Sequence, residues 1–376
     1  MAPQSSLPEV TNPLADPIPT WNRHTTGGSL DQSMQTDLRL IGSGSSPYTR
    51  KLRAALRYRR IPYRFVIPGS KEQEGLPKRP LPLVPCLVFP DAEGQPTDAA
   101  SDTTPIFNRL EREFEDRPLR PKDPALAFID ALIEDYGDEW LSKCMFHYRW
   151  AFAPDTKKAS DYMPYGQMIS MPPETGEQFA KAIAERQISR IGVVGSNEIT
   201  APIIEASWSR FLQIFDAHIQ NQPFLLGDRP GAGDFGCYGQ MTMLVITDPT
   251  PMKIALDRSP RAYAWTEKLE DLSGMEVNES DWIDLEAPPS SLRDLIAEIG
   301  RVYAPFLLGN AAAIESGAER VECKIDGQPW VQDPFPYQAK CLRWLREQYT
   351  ALPEDSKRVV DGVLSGSGCE QLFESL

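Results

Sequence analysis

The sequence predicts an α/β domain followed by an all-α domain and a mixed extension. Three observations carry this reading. Between residues 36 and 120, short alternating apolar runs are interleaved with a helical pattern. Between 121 and 274 only helical periodicity remains, and from 275 to 376 a helical pattern is broken by a hairpin signal. Strand, helix, strand, then hairpin and helix, is the order of a small sheet covered by helices on its faces.

Each element has its own signal. "TDLRLIGS" (36–43) places Leu38 and Leu40 on one face of a short strand. Residues 47–60 read as a helix, with Pro47 at a first helical position, a serine before it as cap, and Leu52, Ala55 and Leu56 as an inward stripe. Its arginines alternate with that stripe, so most are expected to face water, with Arg50 or Lys51 available to attract an anion. "IPYRFVI" (61–67) alternates as a strand, and Cys86–Phe89 turns through "DAEG" into another. "SDTTPIFNRLEREF" opens a helix with Ser101 or Asp102 as cap. Further on, "ALAFIDALIEDYGDEWLSKCMFHYRW" predicts one long amphipathic helix, followed by helices at "EQFAKAIAERQISRIG", "IIEASWSRFLQIFDAHIQ", "GDFGCYGQMTMLV" and "SPRAYAWTEKLEDL". The extension reads as a helix, a hairpin through Asp326-Gly327 and a second helix, with Trp330, Phe335, Tyr337 and Trp344 packed on the helical domain. Residues 1–35, rich in Pro, Ser and Thr, read as a disordered or loosely docked arm.

Composition excludes several partners. With 39 basic and 53 acidic side chains the formal charge is −14, which repels a phosphate backbone or an anionic membrane surface. No apolar run approaches about 18 residues, so no membrane span is expected. The N-terminus has no basic segment followed by an apolar one, so a secretory signal is not expected and a cytoplasmic protein with reduced thiols is. The six cysteines are scattered without a CxxC, and His24, His147 and His218 are the three histidines, so no metal site is expected.

Three junctions in the first domain carry chemistry. Ser45-Ser46-Pro47-Tyr48 begins a helix, where free N–H groups and the positive dipole end favour a thiolate, and a hydroxyl can donate to it. Val84-Pro85 precedes a strand, where a cis bond would expose the Val84 backbone to an extended peptide. Ser101-Asp102-Thr103-Thr104 opens another helix, whose N–H groups suit a carboxylate while Asp102 suits an ammonium. Each junction also has a plainer reading: two caps and a strand-start proline.

In combination and order, these segments resemble the glutathione S-transferase family. "SSPYTRKLRAAL" is similar to its first helix, "LPLVPCLVF" to its cis-proline segment, "SDTTPIFNRLE" to the segment gripping the γ-glutamyl group, and "FLLGDRPGAGDFGCYGQM" to the start of its buried central helix. The resemblance covers about 36–274 and implies a thioredoxin-like domain (36–120), an all-helical transferase domain (121–274) and an added mixed extension (275–376). It implies glutathione as co-substrate without a metal. Ser46, or Ser45 beside it, would stabilise the thiolate. Val84 and Pro85 would hold the cysteinyl part, and Asp102 and Thr103 the γ-glutamyl part. A pocket between the domains, lined by Tyr48, Tyr136, Trp140, His147 and Trp150, would take a small electrophilic apolar substrate, in a detoxifying transfer of alkyl or aryl groups. A homodimer is implied too, with the tail placed to obstruct the usual interface. A non-catalytic scaffold and a glutathione-dependent isomerase, etherase or dehalogenase are the alternatives.

The sequence departs from that pattern in places. Gly231-Ala232-Gly233-Asp234 stands where the family has Ser/Thr-x-x-Asp, so half of the capping box is missing. Thr103 replaces a serine, and both the 151–195 segment and the tail exceed the family's usual length, enough to build or cover the second-substrate pocket.

Overall fold

The computed structural model describes residues 37–374; the expected arm at 1–35 lies outside them. The strands β1 (Leu38–Ile41), β2 (Tyr63–Val66), β3 (Cys86–Pro90) and β4 (Pro96–Ser101) form one sheet in the order β2-β1-β3-β4. β1 pairs parallel to β2 and antiparallel to β3, with Leu40 opposite Phe65 and Leu87. Strand alternation sorts the apolar residues onto two faces. Leu38, Leu40, Leu87 and Phe89 join the main core, and Ile41, Val66, Cys86 and Val88 form a second cluster on the opposite face.

Helices α1 (Pro47–Tyr58) and α2 (Thr103–Glu113) complete the first domain. With its parallel β-α-β start and antiparallel hairpin, it is thioredoxin-like. In α1 the predicted stripe of Leu52, Ala55 and Leu56 is buried. Its basic residues are not the solvated face expected of them. Lys51 is fully buried, Arg57 binds Glu270 at 2.6 Å, Arg59 pairs with Glu111 at 2.9 Å, and Arg60 binds Glu276 at 2.5 Å. Arg57 and Arg59 thus meet acidic groups from elsewhere in the chain rather than water alone, while Arg60, just past the helix, stays exposed.

Among the described residues, eleven helices follow the sheet domain: α3 (Pro124–Glu139), α4 (Leu141–Ala151), α5 (Ala153–Gln167), α6 (Pro173–Ile188), α7 (Ala201–Ile219), α8 (Ala232–Met241), α9 (Pro249–Arg258), α10 (Pro260–Leu269), α11 (Ser290–Ser316), α12 (Pro336–Thr350) and α13 (Glu354–Leu364). The single long helix expected at 125–150 is divided into α3 and α4 at Trp140. Helices α3 and α8 cross closely: a Cβ at Gly137 would lie 2.6 Å from the Cys237 nitrogen. That approach buries the middle of α8 completely. Between α11 and α12 the hairpin β5 (Val321–Ile325) and β6 (Gln328–Gln332) turns through Asp326-Gly327 as its sequence signal predicts.

The incomplete capping box of α8 is completed by another helix. The Asp234 carboxylate accepts from the N–H of Gly231 at 2.9 Å. The acceptor that a serine hydroxyl would have supplied comes from Asp130 of α3, which takes the N–H of Gly233 at 2.8 Å and that of Ala232 at 3.3 Å. A Cβ on residue 231 would stand 2.4 Å from Asp130 Oδ1, so the glycine and the aspartate require each other. Arg120 pairs with Asp130 at 3.1 Å and also with Glu134.

Trp330 of β6 is buried, with ring centroids 5.4 Å from Trp140 and 6.0 Å from Phe306. The six cysteines form no disulfide. Among the described residues, no helix is long and apolar enough to cross a membrane, and no metal-binding group of His, Cys, Asp or Glu occurs.

Candidate functional site

A cavity of about 850 Å³ gathers the three junctions singled out from the sequence. Its wall includes Ser45, Ser46 and Tyr48 from the start of α1, Val84 and Pro85 before β3, and Asp102 and Thr103 at the start of α2. Residues far apart in sequence meet here because β1, β3 and β4 lie side by side and deliver their loops to one end of the sheet.

At the first junction Ser46 is the N-cap of α1, and its Oγ accepts from the Thr49 N–H at 3.2 Å. A hydroxyl that accepts at its oxygen still has its own proton to donate. Ser45 Oγ lies 2.8 Å from Ser43 Oγ, in a hydroxyl pair that either can donate. At the second junction the Val84–Pro85 peptide bond is cis. At the third, Asp102 holds φ at 80° and ψ at 127°, a positive-φ conformation outside the left-handed helical region. It stands at the N-cap of α2 without capping it: its Oδ2 accepts instead from the Tyr337 hydroxyl at 2.6 Å.

Thr103 departs from its expected role. Its side chain is buried and accepts from Lys51 Nζ at 3.1 Å, so what it can offer a ligand is its main-chain N–H in the first turn of α2. Lys51 also binds Glu134 at 2.7 Å and Asp138 at 2.5 Å. Burial acts against the Lys51 charge, but Asp138 and Glu134 outweigh it and raise the ammonium above its ordinary range. Burial pushes the Asp138 carboxyl up to about 6, against the pull of Lys51. The expectation that Lys51 attracts a ligand anion is thereby corrected: its charge is spent inside the wall. Arg50 donates to the Gly44 carbonyl at 2.8 Å.

The predicted pocket aromatics are also corrected. Tyr136, Trp140 and His147 are buried and absent from the cavity wall. Trp140 donates to Ser207 at 3.1 Å, and His147 bonds Ser196 at 2.8 Å and Glu205 at 3.3 Å. Trp150 does line the cavity, with Met145, Phe146, Arg149, Ser142 and Lys143 of α4. Residues 142, 145, 146, 149 and 150 form one helical stripe, while 136, 140 and 144 form another that points into the core. An apolar criterion selects the second stripe, because the first carries charge.

The excess length of the tail points to a part in the pocket, but the sequence does not say which of its residues take that part. Phe335, Tyr337, Gln338, Cys341 and Trp344, in and just before α12, line the cavity. Asn310 of α11 pins this segment by bonding the Phe335 N–H at 2.8 Å and its carbonyl at 3.0 Å. Gln338 donates to Glu139 at 2.9 Å and accepts from Lys143 at 3.4 Å. Tyrosine and glutamine at 337 and 338 give no signal of their own, since only the chain path brings them here.

Glu139 faces this segment in a nearly dry setting. Burial first, then the neighbouring Asp135, pushes its carboxyl from 4.5 to about 8. Burial likewise lowers Lys143 to about 7 and raises Asp135 to about 7. A carboxyl raised by folding stabilises the fold below its unfolded pKa, and that contribution is lost as pH rises through the folded value. Glu139→Gln keeps an acceptor for Gln338 and removes the titration. Between about pH 5 and about pH 8 the variant should gain on the wild type by about 3–4 kcal/mol. Urea denaturation at both pH values checks this, and a constant difference between the two proteins sinks it.

Residues 40–118, which span most of β1 through α2, match the family model described as the glutathione S-transferase N-terminal domain. Similar solved structures include a glutathione S-transferase from Methylobacterium radiotolerans in complex with glutathione sulfonate. It is 17% identical, covers 65% of this chain and 99% of its own, and has a TM-score of 0.31. A glutathione S-transferase from Rhodospirillum rubrum F11 is 20% identical over 69% of this chain and 99% of its own, with a TM-score of 0.36. One from Methylobacillus flagellatus with GSH bound is 15% identical over 63% of this chain and 100% of its own, with a TM-score of 0.33. No curated protein matches this chain. Whole-chain likeness is low, so the assignment stands on the match over the sheet domain, where the sequence motifs also lie. Residues 40–118 carry a glutathione S-transferase N-terminal domain.

Proposed function

We propose that the protein is a glutathione-dependent transferase acting on an electrophilic, largely apolar substrate. The observation that carries this reading is the convergence of Ser45, Ser46, Val84, Pro85, Asp102 and Thr103 on one cavity. Glutathione would lie with its γ-glutamyl ammonium on Asp102 and its γ-glutamyl carboxylate on the first-turn N–H groups of α2. Its cysteinyl backbone would pair with Val84, which brings the sulfur to the start of α1.

There the Ser46 or Ser45 hydroxyl donates to the sulfur, and the dipole of α1 adds its positive end. Both lower the thiol pKa and raise the thiolate fraction. The thiol proton leaves to solvent. The thiolate then forms a sulfur–carbon bond as the bond from that carbon to its leaving group breaks, and the leaving group departs with the electron pair. The protein makes no covalent bond to the substrate; its contribution is positioning and charge stabilisation.

Ultraviolet absorbance of bound glutathione thiolate, titrated against pH, tests this. The serine facing the sulfur should raise the apparent thiol pKa by about one unit when changed to alanine, a roughly tenfold loss of thiolate at neutral pH. Ser46→Ala also removes a cap, so Ser46→Thr serves as its control. If glutathione binds and neither Ser45→Ala nor Ser46→Ala moves the titration, the serine mechanism is wrong. If glutathione does not bind, the transferase reading is wrong.

A further inference from the structure

The cavity wall has two differently charged sides, and they differ in how far their charges are satisfied. The acidic side comprises Asp102, Asp135, Asp138 and Glu139. Each of these already has a donor: Tyr337 for Asp102 at 2.6 Å, Tyr303 for Asp135 at 2.7 Å, Lys51 for Asp138 at 2.5 Å and Gln338 for Glu139 at 2.9 Å. Of their oxygens that are buried from solvent, Asp138 Oδ1 has no partner among the described residues.

The basic groups of the wall include Arg149 of α4, Arg186 near the end of α6 and Arg190 just past it, with Lys143 of α4 and Arg79, which donates to the Leu83 carbonyl at 3.2 Å. Arg149 is 3% exposed. Its Nε donates to Asp248 at 2.8 Å and its Nη1 to the Ser45 carbonyl at 3.2 Å. Its Nη2 is buried without a partner, as is Asp248 Oδ1. Arg186 and Arg190, one helical turn apart, have no ion pair or side-chain hydrogen bond among the described residues. Cationic donors with unmet capacity thus line this cavity, in a chain of net charge −14. Beside these donors lie the apolar groups of Met145, Phe146, Trp150 and Met163.

A guanidinium held in place by a buried aspartate and a main-chain carbonyl is a preorganised receptor for a carboxylate or a similar oxyanion. The two exposed arginines at the mouth add a longer-range attraction. We infer that the helical wall of this cavity is a binding site for an apolar organic acid, with Arg149 fixing the anionic group and Arg186 and Arg190 drawing it in. This deepens the transferase reading and rests on it for one point: the acid is then the electrophilic substrate. Because Arg149 bonds the Ser45 carbonyl, the anionic group is held beside the start of α1. The apolar body of the ligand packs along Met145, Phe146 and Trp150.

Calorimetric titration of the full chain with 2-naphthoate and with 2-naphthamide tests the inference. These probes share shape and differ in charge. Naphthoate should bind about tenfold tighter or more. The double variant R186Q/R190Q, changed only at exposed positions, should cut that ratio severalfold, and salt near 0.5 M should act in the same direction. R149K, which keeps a charge for Asp248 but loses the planar fork, should cut it further. Equal affinities in the wild type overturn the inference, as does a ratio that none of these changes moves. A third outcome also overturns it: R186Q/R190Q weakens glutathione while leaving the naphthoate ratio intact, which assigns these arginines to the glycyl carboxylate. Glutathione affinity is measured in the same series. Its absence defeats the transferase reading separately, and the naphthoate ratio still decides whether the acid site exists.

Discussion

Lys51→Met is expected to destabilise the protein by about 3–5 kcal/mol, because removing one member of a buried ion network leaves the others charged and dry. Lys51 is fully buried and serves Glu134, Asp138 and Thr103 together. Glu134 retains Arg120, which with Lys51 outweighs the upward effect of burial and holds that carboxyl down at about 2. Asp138 has no second cation among the described residues, so it should bear most of the loss. Urea denaturation followed by helical signal measures the effect, and a change below about 1 kcal/mol would falsify the account. Lys51→Met combined with Asp138→Leu should recover part of the stability, since the stranded charge is then gone. The network also reaches the candidate site: Lys51 ties the first residue of α2 to α3, so its loss loosens the helix start that would grip the γ-glutamyl carboxylate.

The sheet domain was legible because its signals are local. Alternation at Leu38 and Leu40, proline at 47 with serine before it, and Asp326-Gly327 in the later hairpin each act within a few residues. The three junctions were legible for the same reason: each is a helix start or a strand start. What was not legible depends on long-range proximity. Lys51 looks like one more exposed base until Glu134 and Asp138 close over it. Gly231 looks like a lost cap until Asp130 arrives from α3 with the missing acceptor. Tyr136, Trp140 and His147 were sought in the pocket because they are aromatic on a helix. That property marks the face a helix buries first, while the cavity face, with Ser142, Lys143 and Arg149, has the mixed character of a surface. The extension's length suggested a cover for the pocket and its aromatics a packing role, and Trp330 does pack on Trp140, but that Tyr337 reaches Asp102 lies far outside any sequence window.

Asp102→Asn is expected to weaken glutathione binding about ten- to a hundredfold, the worth of a charge-assisted hydrogen bond to an ammonium. The substitution isolates charge from structure. Asparagine has the shape of aspartate, and its side-chain oxygen can still accept from the Tyr337 hydroxyl. The fold and the position of α12 should therefore be unchanged, which thermal unfolding checks independently. Cysteinylglycine, which lacks the γ-glutamyl group, supplies the discriminating control. Its weaker affinity should be the same in wild type and variant if Asp102 acts on the ammonium. If the substitution instead disturbs the cavity as a whole, both ligands lose affinity together. A glutathione dissociation constant within twofold of wild type removes Asp102 from the site, leaving its contact with Tyr337 as a tie between the sheet domain and the extension.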